Sequence, residues 1–337
     1  MARLGDLDGD GNGDIAVGAA FAENPDFRGA VYIHFLNADG TVKATTRIGN
    51  GSNGGPSLIL DAKFGSSLAN LGDIDGDGVV DLAVGSYNDD SGGLSRGAVY
   101  ILRLNTNGTV KSGGISKIGD NLNGGPALAN FTAFGTSVAN LGDLDGDGIN
   151  DLAVGAYGDS AEGFFRGAVY ILRLNADGTV KTGGTTRIAS GVNGGPTLTD
   201  RSYFGGSLAS LGDFDGDGIV DLAVGAFGNN TGVSGGGAVY ILRLNSDGTV
   251  KTSGVTQIAS GTNGGPTLAA NDNFGTAVAN VGDPDGDGVT DLVVGPTGMT
   301  RKAAIAGRST QCGLMPMVQS KRTASPNWSR TSTADQR

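Results

Sequence analysis

Phe64-Gly-Ser-Ser-Leu-Ala-Asn-Leu-Gly-Asp73-Ile-Asp75-Gly-Asp77-Gly-Val-Val-Asp81-Leu-Ala-Val-Gly85 is the stretch on which the reading of this chain turns. Its centre is a nine-residue loop with carboxylates at positions 1, 3, 5 and 9 and Gly78 at position 6. Alternate side chains of a tight turn converge on one point, and glycine at position 6 permits the bend. The carbonyl at position 7, from Val79, adds an oxygen whatever its side chain. Ca²⁺ is a hard cation that takes six to eight oxygens at roughly 2.3–2.6 Å, and such a loop supplies them.

The same loop occurs five times. The ligand sets read Asp6, Asp8, Asp10, Asn12 and Asp14; then Asp73, Asp75, Asp77, Val79 and Asp81. The others are Asp143, Asp145, Asp147, Ile149 and Asp151; Asp213, Asp215, Asp217, Ile219 and Asp221; and Asp283, Asp285, Asp287, Val289 and Asp291. A single copy favours the cage but also fits a plain turn, since Asp and Gly favour turns. Five copies with four acids each are expected to need a cation, because clustered carboxylates otherwise shift their pKa or push the loop open. All-oxygen ligands without nearby Cys or His favour Ca²⁺ over Zn²⁺, and Mg²⁺ seldom uses an all-protein cage. Up to five Ca²⁺ are therefore expected, one per loop. An EF-hand is excluded: its bidentate Glu at position 12 is replaced by Val17, Val84, Val154, Val224 and Val294 inside apolar runs.

Working outward, Phe-Gly recurs at Phe64, Phe134, Phe204 and Phe274, a period of 70 residues. A fixed period identifies a repeat architecture. Each unit holds an alternating strand from Phe-Gly, the acidic loop, a short apolar strand such as Leu82–Gly85, and a strong strand such as Gly97–Leu102. Asn105-Thr-Asn-Gly108 is a hairpin signal leading into a return strand at Thr109-Val-Lys111, and Asn123-Gly-Gly-Pro126 turns the chain toward the next Phe-Gly. Four strands per unit, repeated, point to an all-β propeller with one unit per blade. The units are expected at 1–63 (partial, without its Phe-Gly strand), 64–133, 134–203, 204–273 and 274–298 (partial). A β-roll of the nonapeptide type is disfavoured because that period is absent.

Glycine makes up 63 of 337 residues, yet the apolar residues are grouped, which fits a turn-rich fold. Lys+Arg number 23 and Asp+Glu 34, but residues 299–337 hold seven of the basic residues and one acid. Residues 1–298 thus carry a net charge of −17, which excludes nucleic-acid binding through a basic surface. No stretch is long enough to span a membrane. Met1 is not followed by a signal peptide, while weak oxygen cages suit an extracellular setting, so the chain is read as a fragment whose start is missing.

The order Phe-Gly, Asp-x-Asp-Gly-Asp-Gly-x-x-Asp-Leu-Ala-Val-Gly, Gly-Ala-Val-Tyr-Ile resembles the FG-GAP repeat of integrin α-subunit propellers and their bacterial relatives, over roughly residues 1–298. The resemblance implies a seven-bladed propeller with calcium between neighbouring strands of a blade, displayed outside the cell, for adhesion or ligand binding. The family's Gly-Ala-Pro is altered to Gly18-Ala19-Ala20, Gly85-Ser86-Tyr87, Gly155-Ala156-Tyr157, Gly225-Ala226-Phe227 and Gly295-Pro296-Thr297, which is expected to loosen that turn. Five units cannot close seven blades, which again reads as a fragment.

Residues 299–337 break the pattern and hold Trp328, Cys312 and three of four Met. Shifting the reading frame across Leu314–Thr323 permits Asp-Ala-Asp-Gly-Thr-Val-Lys-Ala-Asn, which matches Asn37–Ala44 at the register the repeat requires. The tail is therefore expected to be a frameshifted fifth unit, which the coding DNA would verify.

Catalytic sets are absent. His34 is the sole histidine, and its counterparts are Leu102, Leu172 and Leu242, which makes it a packed or half-exposed strand residue. No Ser/His/Asp or Cys/His set forms. The clustered aspartates are committed to the cages, so paired-carboxylate glycoside hydrolysis has no spare acids. Tyr100, Tyr170 and Tyr240 share one position that reads as core, and Arg28, Arg96 and Arg166 read as partners of acids. The expected function is a secreted or surface-displayed, calcium-stabilised module that binds a protein or glycan ligand in adhesion, not an enzyme. The alternative is an accessory propeller of a secreted hydrolase whose catalytic part lies outside this chain.

Overall fold

The structure is a computed structural model and describes residues 1–295. The tail at 299–337, with the expected frameshift, Cys312 and Trp328, lies outside the described residues.

Each unit folds into an antiparallel meander. The first sheet runs β1 (Ala2–Gly5), β2 (Asp14–Ala19), β3 (Ala30–Leu36) and β4 (Val42–Ile48). The second runs β5 (Leu68–Gly72), β6 (Asp81–Ser86), β7 (Ala98–Leu104) and β8 (Val110–Ile118). The third holds β9 (Phe134–Asn140), β10 (Leu152–Ala156), β11 (Ala168–Leu174) and β12 (Val180–Ile188). The fourth holds β13 (Phe204–Gly212), β14 (Asp221–Ala226), β15 (Ala238–Leu244) and β16 (Val250–Ala259), and β17 (Ala277–Asn280) pairs with β18 (Leu292–Gly295). One expectation is corrected. The first unit has no Phe-Gly, but Ala2–Gly5 still pairs with β2 and completes a four-stranded sheet. A strand needs only backbone partners, and four residues at the inner edge suffice.

The strands of the second, third and fourth sheets are apolar on both sides because those sheets are packed on both faces, whereas in the first sheet Tyr32 and His34, on the face away from the second, are only half-buried. In β7, Val99 and Ile101 join Leu152, Val154, Tyr170 and Leu172 of the next sheet. Tyr100 and Leu102, pointing the other way, join Leu4, Val31 and Ile33 of the preceding one. The cores therefore lie between blades, and the inner strands of all five units line one channel, with Arg3, Asn70, Asn140, Ser210 and Asn280 facing it.

The motif residues key the blades together. Phe64, Phe134 and Phe204 are fully buried, and each meets the tyrosine of its own blade edge-on, as Phe64 does Tyr100 at 5.4 Å. Backbone bridges tie Phe64 to Gly29 and Phe134 to Gly97, joining each blade to its predecessor. A Cβ on Gly85 would lie 2.0 Å from the Gly135 carbonyl oxygen of the next blade, so this position must be glycine. The Ser67 hydroxyl donates to that same carbonyl at 2.9 Å. The Asn-Gly-Gly-Pro segments act similarly at the rim: the Asn53 carbonyl accepts from Val110 N–H of the next blade at 3.0 Å, and Asn123 repeats this toward Val180.

The turn expected to loosen without proline is closed by the backbone, with Asp89 N–H donating to Ser86 at 3.1 Å. Tyr157, at the proline position of its unit, packs against Tyr203 and Phe227.

Candidate metal centre

Each acidic loop joins the first two strands of its blade, and a register shift between Asn70 and Gly72 marks its mouth in the second unit. Within it, each acid has a distinct environment. Position 1 caps the loop's own backbone: Asp73 Oδ1 accepts from Gly76 N–H at 2.7 Å and Asp77 N–H at 3.0 Å, and Oδ2 from Gly78 N–H at 2.6 Å. The other four loops repeat this at Asp6, Asp143, Asp213 and Asp283. Gly78 sits at φ +87°, which glycine adopts without strain.

Position 9 is buried. Asp81 Oδ2 accepts from Ile74 N–H at 3.1 Å, and Oδ1 from Leu104 N–H at 3.0 Å, tying the loop to the end of β7. Asp14, Asp151 and Asp221 do the same. Burial pushes the carboxyls of Asp81 and Asp151 up to about 6.

The structure brings three carboxylates of every loop within 4.8 Å of one another. In the first loop these are Asp6, Asp8 and Asp10. In the others they are positions 1, 3 and 9: Asp73, Asp75 and Asp81; Asp143, Asp145 and Asp151; Asp213, Asp215 and Asp221; Asp283, Asp285 and Asp291. Position 5 stands apart in those four loops. Asp77, Asp147, Asp217 and Asp287 each use Oδ1 to accept the position-7 N–H, from Val79, Ile149, Ile219 and Val289, as Asn12 donates to Asp10.

The fifth loop offers an orphaned oxygen. Asp291 is 3% exposed and its Oδ2 has no hydrogen-bond partner. In the other loops that oxygen is taken by the N–H at position 2, but here position 2 is Pro284, which has none. Burial, then its acidic neighbours Asp285, Asp287 and Asp283, raise the Asp291 carboxyl above its ordinary value. A buried anionic oxygen without a donor, among converging carboxylates, fits a hard cation.

One feature of the loops was missed from sequence. A lysine on the return strand reaches the carboxylates in four units. Lys111 Nζ meets both oxygens of Asp75, at 2.9 and 2.7 Å, and Asp77 Oδ2 at 2.5 Å. Lys181 does so at Asp145 and Asp147, Lys251 at Asp215 and Asp217, and Lys43 at Asp8 and Asp10. Hydrogen bonds from these lysines hold Asp77, Asp147 and Asp217 below their ordinary values, and Lys43 takes Asp10 down to about 2. Clustered acids were expected to need a metal to balance them; part of that balance is internal. The signal was legible in the recurrent Thr-Val-Lys.

The remaining candidates are structural. Arg28, Arg96 and Arg166 pair with Asp26, Asp120 and Asp200. His34 is half-buried with Nδ1 2.9 Å from Thr45 Oγ1. Tyr100 and Tyr170 are core, and their hydroxyls also donate to buried Asp89 and Asp159, at 2.9 and 2.7 Å.

With this geometry in hand, the family described as FG-GAP repeat matches residues 3–34, 64–102, 134–172 and 204–242. The chain is an FG-GAP repeat protein of the integrin alpha-like kind. The FG-GAP chain is 36% identical over 171 residues to integrin alpha-11 of Homo sapiens, covering 50% of the chain and 13% of that relative. It is 33% identical over 232 residues to integrin alpha-PS2 of Drosophila melanogaster, covering 67% of the chain and 15% of the relative. To integrin alpha-4 of Xenopus laevis it is 34% identical over 157 residues, covering 46% and 14%. The FG-GAP repeats thus correspond to about one-seventh of these relatives' length. Among the described residues no helix is long and apolar enough to cross a membrane.

Proposed function

We propose that this FG-GAP propeller module binds Ca²⁺ in its five acidic loops and displays a ligand-binding surface outside the cell, for adhesion to a protein or glycan. The calcium is structural. Its ligands are the carboxylates at positions 1, 3, 5 and 9 and the position-7 carbonyl, with position 5 rotating from its lysine to the ion. The observation that carries the reading is the convergence of three carboxylates in every loop, with the orphaned Asp291 oxygen among them. At free calcium tenfold above Kd, each site adds roughly 1.4 kcal/mol to folded-state stability. The loops at 86–96, 156–166 and 226–236, small and mutually different, are the surface on which ligand choice would be made. No enzymatic role is proposed, and integrin likeness supports binding as the task.

The test is a calorimetric Ca²⁺ titration of the chelated chain with melting curves at each end. Four or five ions per chain and a raised Tm support the reading. A folded chain that takes up no calcium overturns it. The substitution Asp145→Asn should remove one site from the stoichiometry.

A further inference from the structure

We propose that Lys43, Lys111, Lys181 and Lys251 are built-in counter-cations that hold the acidic loops closed at low calcium and are displaced when the metal binds. This deepens the calcium reading and rests on it. Each lysine is the second residue of the return strand of its blade, β4, β8, β12 or β16. The hairpin at Asn105–Thr109 folds that strand back so that Lys111 Nζ lies on both oxygens of Asp75 and on Asp77. Three of these contacts recur in the third and fourth units, and Lys43 bridges Asp8 and Asp10 in the first.

With the ammonium in place, the second loop has a partner for every carboxylate: three backbone N–H groups at position 1, two at position 9, one plus the lysine at position 5, and the lysine at position 3. The loop is thereby kept in a metal-ready shape. A calcium ion needs the position-3 carboxylate, and bound there it places two positive charges within a few ångströms of a third. Lysine is a hydrated point charge on a flexible stem, and these side chains are 20–26% exposed, so they have a route to solvent. The exchange makes calcium affinity a difference between two cations, and makes the fold tolerant of calcium loss.

The experiment uses the full chain, wild type and with Lys43→Met, Lys111→Met, Lys181→Met and Lys251→Met together. Calcium affinity is measured by titration, and lysine accessibility by acetylation and mass spectrometry with and without calcium. The variant is expected to bind calcium about tenfold more tightly at these loops and to melt lower in chelator. In the wild type the four lysines should be protected in chelator and become reactive with calcium. A merely structural role would lower the melt without tightening calcium. Unchanged affinity, or lysine reactivity indifferent to bound calcium, overturns the proposal and leaves the calcium reading standing. A folded wild type that takes up no calcium overturns both. If the fourfold variant does not fold, the wild-type footprint and Lys111→Met alone decide.

Discussion

Gly85, Gly155 and Gly225 each face a carbonyl of the next blade from which an added Cβ would stand 2.0 Å. A serine hydroxyl there can swing aside but the backbone carbonyl cannot, so the blades must separate. Gly155→Ala is expected to cost about 3 kcal/mol, at the upper end of overpacking penalties. Gly13→Ala, whose Cβ meets nothing nearer than 4.0 Å, should cost far less, and paired thermal melts check the contrast. At the same scale, Pro284→Leu restores the N–H that other loops give to the position-9 acid. It should stabilise the chain by about 1 kcal/mol in chelator, because an unsatisfied buried acceptor costs roughly 1–3 kcal/mol. An unchanged melt would show that the Asp291 oxygen is already satisfied.

Between residues and blades lies the loop that joins the second and third strands. Asp89 is 2% exposed and receives Tyr100 Oη and Lys117 Nζ, each at 2.9 Å. In the next unit Asp159 receives Tyr170 and Arg187, and in the fourth Asn229 stands with Tyr240 and Gln257. The second unit pairs acid with base and the fourth amide with amide, while in the third Arg187 is shared between Asp159 and Glu162. Removing the base strands the buried Asp89 carboxylate, so Lys117→Ala should cost about 3 kcal/mol. The pair Asp89→Asn with Lys117→Gln copies the fourth unit and should cost much less than the single change, which a double-mutant cycle would read.

Burial works against ionisation of Asp89 and Asp159. Hydrogen bonds to Ser91 and Lys117, or to Arg187 and Ala161, outweigh it and hold both carboxyls below their ordinary values. A depressed carboxyl contributes stability that is present above its unfolded pKa, about 3.9, and lost as pH falls through the folded one. Stability from this source should therefore be flat from neutral pH down to about 4 and fall below it. The Asn/Gln copy should lose this part of the acid sensitivity, as melting in acid would show.

At the scale of the molecule, the cores lie between blades, so each blade depends on its neighbours. Ile101 faces the third blade from the second. Ile101→Ala is expected to cost 2–5 kcal/mol and to loosen hydrogen-exchange protection in the second and third sheets more than in β15. Uniform loss across all sheets would show that the row of blades opens only as a whole.

The sequence by itself determined the repeat, the strand count per unit and the acids of each loop, because period, turn residues and ligand spacing are local. It also pointed to structural roles for Tyr100 and Arg96, since repetition reveals equivalent positions. It did not show that the first unit completes its sheet with Ala2–Gly5, since a short edge strand has no pattern of its own. Nor did it show what the glycines of Val-Gly-Ala are for, because the carbonyl that demands Gly85 arrives from Gly135, fifty residues on. The lysine on the cage was visible as a recurrent residue, but its meaning was not. Lys111 and Asp75 are 36 residues apart, and only the hairpin and the pairing of β8 with β7 place the ammonium on the carboxylates.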